Sequence, residues 1–146
     1  MGSDQFNATG SHTKNLTLSD RELLETIPAI GRKTACRMLC LLHSRAFAKA
    51  SSAAAYLGLV PLHHQSGTSV YKPPRLSKAG DGAMRAALYM VAVTATRYNP
   101  DIRAHYKRLV GQGKSKMSAL GAAMRKIVHI CFGVLKNQQP YQQRVA

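Results

Sequence analysis

Apolar positions recur at helical spacing through most of the chain. Ala35, Met38, Leu39 and Leu42 fall on one stripe, which predicts a helix from about Arg32 to His43. Before it, Ser19 followed three residues later by Glu22 has the form of a capping box, opening a short helix over Asp20 to Thr26. A further short helix is expected to end at Leu57-Gly58, capped by Ser51 or Ser52. The segment from Ala83 to Arg97, rich in Ala, Met, Leu and Val, predicts a longer helix. Asn99 then caps a helix with Pro100 in its first turn, which stops near Gly111-Gln112-Gly113. The last helix is expected from Lys114 or Ser115 to about Leu135.

Between these elements the pattern breaks. Residues 1–18 carry no periodicity and read as a tag, linker or disordered lead-in. The stretch from Gly58 to Gly82 holds Pro61, Pro73 and Pro74 with several glycines. It predicts a long central loop with a small β-hairpin near Thr68–Tyr71, and loops of this length tend to be functional or disordered. Residues 137–146 read as a polar tail. The expected architecture is mainly α: one compact helical domain over 19–136 with a helix-hairpin-helix-like motif at its start.

Charge changes the picture. The 146 residues hold 21 Lys and Arg against 6 Asp and Glu, a formal charge of +15. Such an excess repels itself unless the partner is anionic, so nucleic acid is the first candidate and an anionic membrane the second. No run of apolar residues approaches the roughly 20 needed to span a bilayer, and the amino terminus lacks the apolar core of a signal peptide. A cytoplasmic, bacterial-type location with no membrane partner is expected. Cys36, Cys40 and His43 share one helical face at i, i+4 and i+7, a spacing able to hold a metal. Met38, Leu39, Leu41 and Leu42 surround them, however, so we read these cysteines as core packing and assign no metal.

Two segments carry candidate chemistry. In Leu24-x-x-Ile27-Pro28-Ala29-Ile30-Gly31-x-x-x-Ala35, apolar residues pin two short helices around a turn, and Gly31 opens the second. Backbone N–H groups at that helix start suit a phosphate, with Arg32 and Lys33 adding charge. Such contacts position a nucleic acid without reading its sequence. The usual hairpin has glycine where Ala29 stands. Alanine in left-handed dihedrals costs about 1–2 kcal/mol, which predicts a looser turn. In the central loop, Ser66 beside Gly67 offers an accessible hydroxyl, and Lys72, Arg75, Lys78 and Arg85 follow. A serine attacking a phosphodiester needs a reachable hydroxyl and cations for the developing charge. Taken alone, a Ser-Gly pair in a basic loop is usually only a turn. His63 and His64 are near enough in sequence to act as a base, or are solvated loop residues.

Several blocks stand in one order: Ile27-Pro28-Ala29-Ile30-Gly31, Tyr56-Leu57-Gly58-Leu59-Val60-Pro61, Ser66-Gly67, Leu76-Ser77-Lys78-Ala79-Gly80-Asp81, Arg85-x-x-Leu88-Tyr89, Gly113-Lys114 and Met124-Arg125-Lys126. Over roughly residues 20–141 the chain resembles the carboxy-terminal domain of insertion-sequence transposases related to the Piv DNA invertase. The resemblance implies a DNA recombinase, DNA as partner, a guide RNA, and a homo-oligomer in the full-length enzyme. It also implies that Ser66 is the nucleophile, forming a transient phosphoserine link to DNA. A preceding domain of such enzymes holds four acidic residues for a divalent metal, Mg by expectation. Asp4, Asp20, Glu22, Glu25, Asp81 and Asp101 do not show that arrangement. The chain therefore reads as a fragment without a cofactor of its own, inactive alone. Two rival readings stand beside it: a stand-alone helix-hairpin-helix DNA-binding module without catalysis, and an assembly domain whose Ala- and Met-rich segment Ala83–Ala95 mediates oligomerisation. Core packing of that segment is the commoner outcome.

Overall fold

The computed structural model describes residues 18–59, 61–62, 75–76 and 82–144. Within them lie six helices: α1 (Asp20–Glu25), α2 (Arg32–Ser44), α3 (Ala50–Tyr56), α4 (Gly82–Tyr98), α5 (Pro100–Gly111) and α6 (Lys116–Asn137). A two-residue antiparallel pairing joins β1 (Pro61–Leu62) to β2 (Arg75–Leu76), with Pro61 opposite Leu76 and Leu62 opposite Arg75. The expected hairpin at Thr68–Tyr71 lies outside the described residues.

Two helix starts follow the caps read from sequence at Ser19 and Asn99, and Ser115 adds a third cap. Ser19 Oγ accepts from the Glu22 N–H at 3.2 Å, Asn99 Oδ1 from the Asp101 and Ile102 N–H groups, and Ser115 Oγ from the Ser118 N–H at 3.2 Å. The exception is α3. It starts at Ala50 with Lys49 at the N-cap and no side-chain cap bond, so neither Ser51 nor Ser52 caps it; both lie inside the helix. Two helices end in Schellman motifs. At α3, Gly58 takes φ 74° while the Leu59 N–H reaches the Ala54 carbonyl. At α5, Gly113 takes φ 92° while the Lys114 N–H reaches Leu109. A left-handed residue is needed after each last turn, and glycine supplies it without a Cβ clash.

Helix α6 is the hub. Ala119, Ala123, Met124, Ile127, Val128, Cys131 and Val134 form its buried face, and it packs against α1, α3, α4 and α5. Small residues at 119, 121 and 123 bury the first turns without bulk. Lys116–Asn137 is also the one helix among the described residues long and apolar enough to cross a membrane by length and composition. Its apolar side is here the protein core, and Arg125, Lys126 and His129 interrupt the other side. In α4, Met84, Leu88, Val91, Ala92 and Ala95 are buried and form the core face of the Ala- and Met-rich segment, while Ala83, Ala86, Met90 and Thr94 are exposed. Burial of an aliphatic side chain of this size stabilises by roughly 1.5–3 kcal/mol.

The cysteine reading needs correction. Cys131 is buried, but Cys36 and Cys40 are exposed. α2 turns Ala35 and Met38 inward with Leu39, Leu41 and Leu42 packed at the edge of the core, which leaves the cysteine stripe facing out. His43 pairs instead with Asp20 at 3.1 Å, tying α2 to α1. The tail also differs from a simple polar extension. α6 continues to Asn137, and the chain beyond it folds back. The Tyr141 N–H donates to Thr26 Oγ1 at 2.9 Å, the Tyr141 hydroxyl to Asn99 and to Asp101, and the Arg144 N–H to Asp101 at 3.3 Å.

Candidate nucleic-acid interface

The turn between α1 and α2 is tight. Ile27 and Ile30 are buried and close it with an Ile30 N–H to Ile27 carbonyl bond of 3.1 Å. Pro28 occupies the second position and Ala29 the third, where φ is +83°. Those are the marks of a type II turn, whose third position normally carries glycine. The expected loosening therefore does not occur. The buried isoleucines fix the turn, and Ala29 absorbs the strain.

A distant residue braces it. Asn99 is fully buried; its Nδ2 donates to the Pro28 carbonyl at 3.3 Å while its Oδ1 caps α5 and accepts from Tyr141 at 3.1 Å. One amide thus joins the turn, the start of α5 and the returning tail. With that brace in place, Gly31 leads into α2 in extended conformation, φ −94° and ψ −177°, with no side-chain cap. A Cβ on Gly31 would meet nothing within 4 Å, so neither dihedral nor crowding requires glycine there. The first N–H groups of α2 are left without a side-chain acceptor, beside exposed Arg32 and Lys33. Gly31, Arg32 and Lys33 are all exposed at this helix start.

Arg37, one turn beyond Lys33, was not among the residues singled out. It is exposed and lines a shallow groove of about 270 Å³ with Ala29, Lys33, Thr34, Met90 and Thr94. The i, i+4 spacing of Lys33 and Arg37 was the available signal. Arg85 is placed elsewhere: it is half-buried and donates to the Leu57 carbonyl, 3.4 Å away, linking the end of α3 to α4. Ser66, Lys72 and Lys78 lie outside the described residues, as do His63 and His64. Arg75 is described only through its backbone in β2.

A second basic groove, unforeseen from sequence, runs between α5, α6 and the tail. Its volume is about 660 Å³, and His105, Arg125, Lys126, His129 and Arg144 line it. Burial, then Lys126, Arg108 and Arg125, push the His105 imidazole down from 6.5 to about 4. Arg108 Nη2 donates to His105 Nδ1 at 2.9 Å, which holds that nitrogen unprotonated. Burial and Arg125 lower His129 as well.

The described carboxylates do not fit a divalent metal. Asp20 is shared by His43 and Gln138, Glu25 is paired with Arg21 at 3.1 Å, and Asp101 accepts from Tyr141 and Arg144. No three potential ligands cluster among the described residues.

Comparison with known proteins bears on this basic, hairpin-led surface. Residues 21–107 match the transposase family described as IS116/IS110/IS902. The chain is 37% identical over 126 residues to the pilin gene-inverting protein of Moraxella lacunata, covering 84% of this chain and 39% of that protein. The Moraxella bovis protein of the same name matches equally. An IS110 insertion-element protein of Streptomyces coelicolor is 27% identical over 124 residues, covering 84% of this chain and 30% of its own. The chain thus spans about two fifths of the pilin gene-inverting proteins it matches.

Proposed function

The chain belongs to the IS116/IS110/IS902 transposase family, and on that premise we propose that it is the carboxy-terminal DNA-binding part of a recombinase, carrying the serine nucleophile for strand exchange. One observation carries the binding half of this reading. The uncapped start of α2, held behind the Ile27–Ile30 turn, presents Gly31, Arg32 and Lys33 to solvent as a unit. Backbone N–H groups and two cations on one rigid helix suit a phosphate of the DNA backbone. Lys72, Arg75, Lys78 and Arg85 supply further positive charge along the segment that carries Ser66.

In the chemical half, the Ser66 hydroxyl oxygen forms a bond to a backbone phosphorus. The bond from that phosphorus to the leaving deoxyribose oxygen breaks, and that oxygen takes the proton given up by serine. A DNA hydroxyl later attacks the phosphoserine and regenerates Ser66, so phosphodiester energy is conserved and no nucleotide is consumed. The cations neutralise charge that grows on the phosphoryl oxygens during each step. The described carboxylates do not fit the divalent metal expected of the family, and no step here is routed through it. DNA in the bacterial cytoplasm, a guide RNA and a homo-oligomeric assembly are parts of the same reading.

Two measurements test it. The chain should bind duplex DNA with an affinity that falls steeply with salt, by roughly 0.9 in log–log slope for each phosphate engaged. In a full-length protein carrying this segment, Ser66→Ala should abolish a protease-sensitive covalent adduct on a denaturing gel while binding persists. Ser77→Ala should keep the adduct. An adduct that survives Ser66→Ala moves the nucleophile elsewhere. Binding without any adduct from the full-length protein leaves a DNA-binding module without catalysis.

A further inference from the structure

The groove between α5, α6 and the tail has no role in the reading above. Arg125 and Lys126 stand next to each other on α6, half-buried, with no hydrogen bond or ion pair to any described residue. Asp101 is the acidic residue in the lining, and its carboxylate is already engaged by the Tyr141 hydroxyl and the Arg144 N–H. Two adjacent cations withdrawn from water without a counter-charge are unfavourable in the free protein, and an anion in the groove removes that penalty. Burial first, and then the charges of Lys126, Arg108 and Arg125, depress the His105 imidazole beside them.

The shape narrows the occupant. The tail, pinned by Tyr141 to Asn99 and Thr26, forms one wall, so the site is a trough bounded on two sides. Duplex DNA is convex and is met by elements that enter its grooves. A trough with Arg125 and Lys126 on the α6 side, and with the amides of Gln139 and Gln142 beside Arg144 on the tail side, matches a single strand whose phosphates meet the cations and whose bases meet the amides.

We propose that this groove binds an unpaired DNA strand, with Arg125 and Lys126 holding its phosphates and the pinned tail forming the second wall. The proposal rests on the DNA-binding reading above and adds a second, strand-selective site to it. Arginine can hold a phosphate through two parallel N–H donors, and lysine acts as a point charge beside it. Arg144, on the tail, adds charge from the opposite wall.

The test is fluorescence anisotropy with a labelled single-stranded oligodeoxynucleotide, a duplex of the same length and an RNA of the same sequence. The proteins are the wild-type chain, Arg125→Gln/Lys126→Gln, Arg144→Gln and Arg32→Ala/Lys33→Ala. The α6 double variant should lose about tenfold in single-strand affinity, and its salt slope should flatten by about 1.4 for two phosphates at roughly 0.7 each. Its duplex affinity should change much less, while the α2 variant shows the reverse pattern. Arg144→Gln, an exposed change that leaves the fold intact, should show a smaller loss in the same direction. Unchanged single-strand binding by both groove variants overturns the proposal, as does an equal loss on strand and duplex. A larger loss on RNA than on DNA overturns the choice of DNA as occupant. Failure of the wild-type chain to bind any DNA sinks the DNA-binding reading itself, whereas intact duplex binding with an idle groove sinks only this proposal.

Discussion

Ala29 holds φ +83° in the turn that leads into α2. Left-handed dihedrals cost a non-glycine residue about 1–2 kcal/mol, and glycine returns part of that as extra freedom in the unfolded chain. Ala29→Gly should therefore raise stability by roughly 0.5–1 kcal/mol, read as a higher urea midpoint at constant slope. A neutral or destabilising result would mean that the turn relaxes in solution. Asn99 explains why the strain is tolerated. It is the fully buried polar side chain among the described residues, and its amide grips the turn, the start of α5 and Tyr141 together. A strained turn persists when its surroundings over-determine it, and here they are Asn99 and the buried Ile27 and Ile30.

The elements divide between core and surface by which stripe each turns inward. α2 buries Ala35 and Met38 and shows Arg32, Lys33 and Arg37 outside; α6 buries Ile127, Val128 and Cys131 and shows His129, with Arg125 and Lys126 half-buried. Burial raises the Cys131 thiol to about 12, so it is an inert packing residue while Cys36 and Cys40 are the exposed thiols. The tail counts as a structural element although it has no helix or strand. Burial and Asp101 raise the Tyr141 phenol above its ordinary value, as expected for a hydroxyl committed to donating. Tyr141→Phe removes its bonds to Asn99 and Asp101 and should cost about 1–2 kcal/mol. The loss should appear in chemical denaturation together with faster amide exchange at Tyr141 and Arg144. Unaltered exchange there would show that the hydroxyl does not hold the tail.

For the whole molecule, the sparse carboxylates make histidine the main source of pH dependence on the groove side. His105 faces Arg108 on its own helix, Arg125, Lys126 and His129 on α6, and Asp101, Tyr141 and Arg144 around the same groove. Its folded value is about 4 against 6.5 unfolded, so between those values the unfolded chain binds the extra proton. The stability this represents is complete above about pH 6.5 and is lost as pH falls towards 4. His129 is shifted the same way and adds to the slope. Thermal unfolding followed from pH 7 to pH 4.5 should show a falling midpoint, and His105→Gln should flatten the fall. An equal slope in that variant would locate the titrating group elsewhere.

Local rules determined much of this protein from its sequence. Periodicity placed the six helices to within a few residues, because amphipathic spacing and short-range caps at Ser19, Asn99 and Ser115 act over one turn of chain. The same locality placed Gly31, Arg32 and Lys33 at the start of α2. The ordered blocks of the chain carried the family resemblance. What tertiary structure decided were the contacts between distant parts. Cys36 and Cys40 face out because the stripe beside them, led by Met38, won the core, and helical spacing alone cannot rank two adjoining stripes. Ala29 keeps its strained turn because Asn99, remote in sequence, binds Pro28. The groove of Arg125, Lys126 and Arg144 exists because Tyr141 returns to Thr26 and Asn99, a closure that no local pattern encodes.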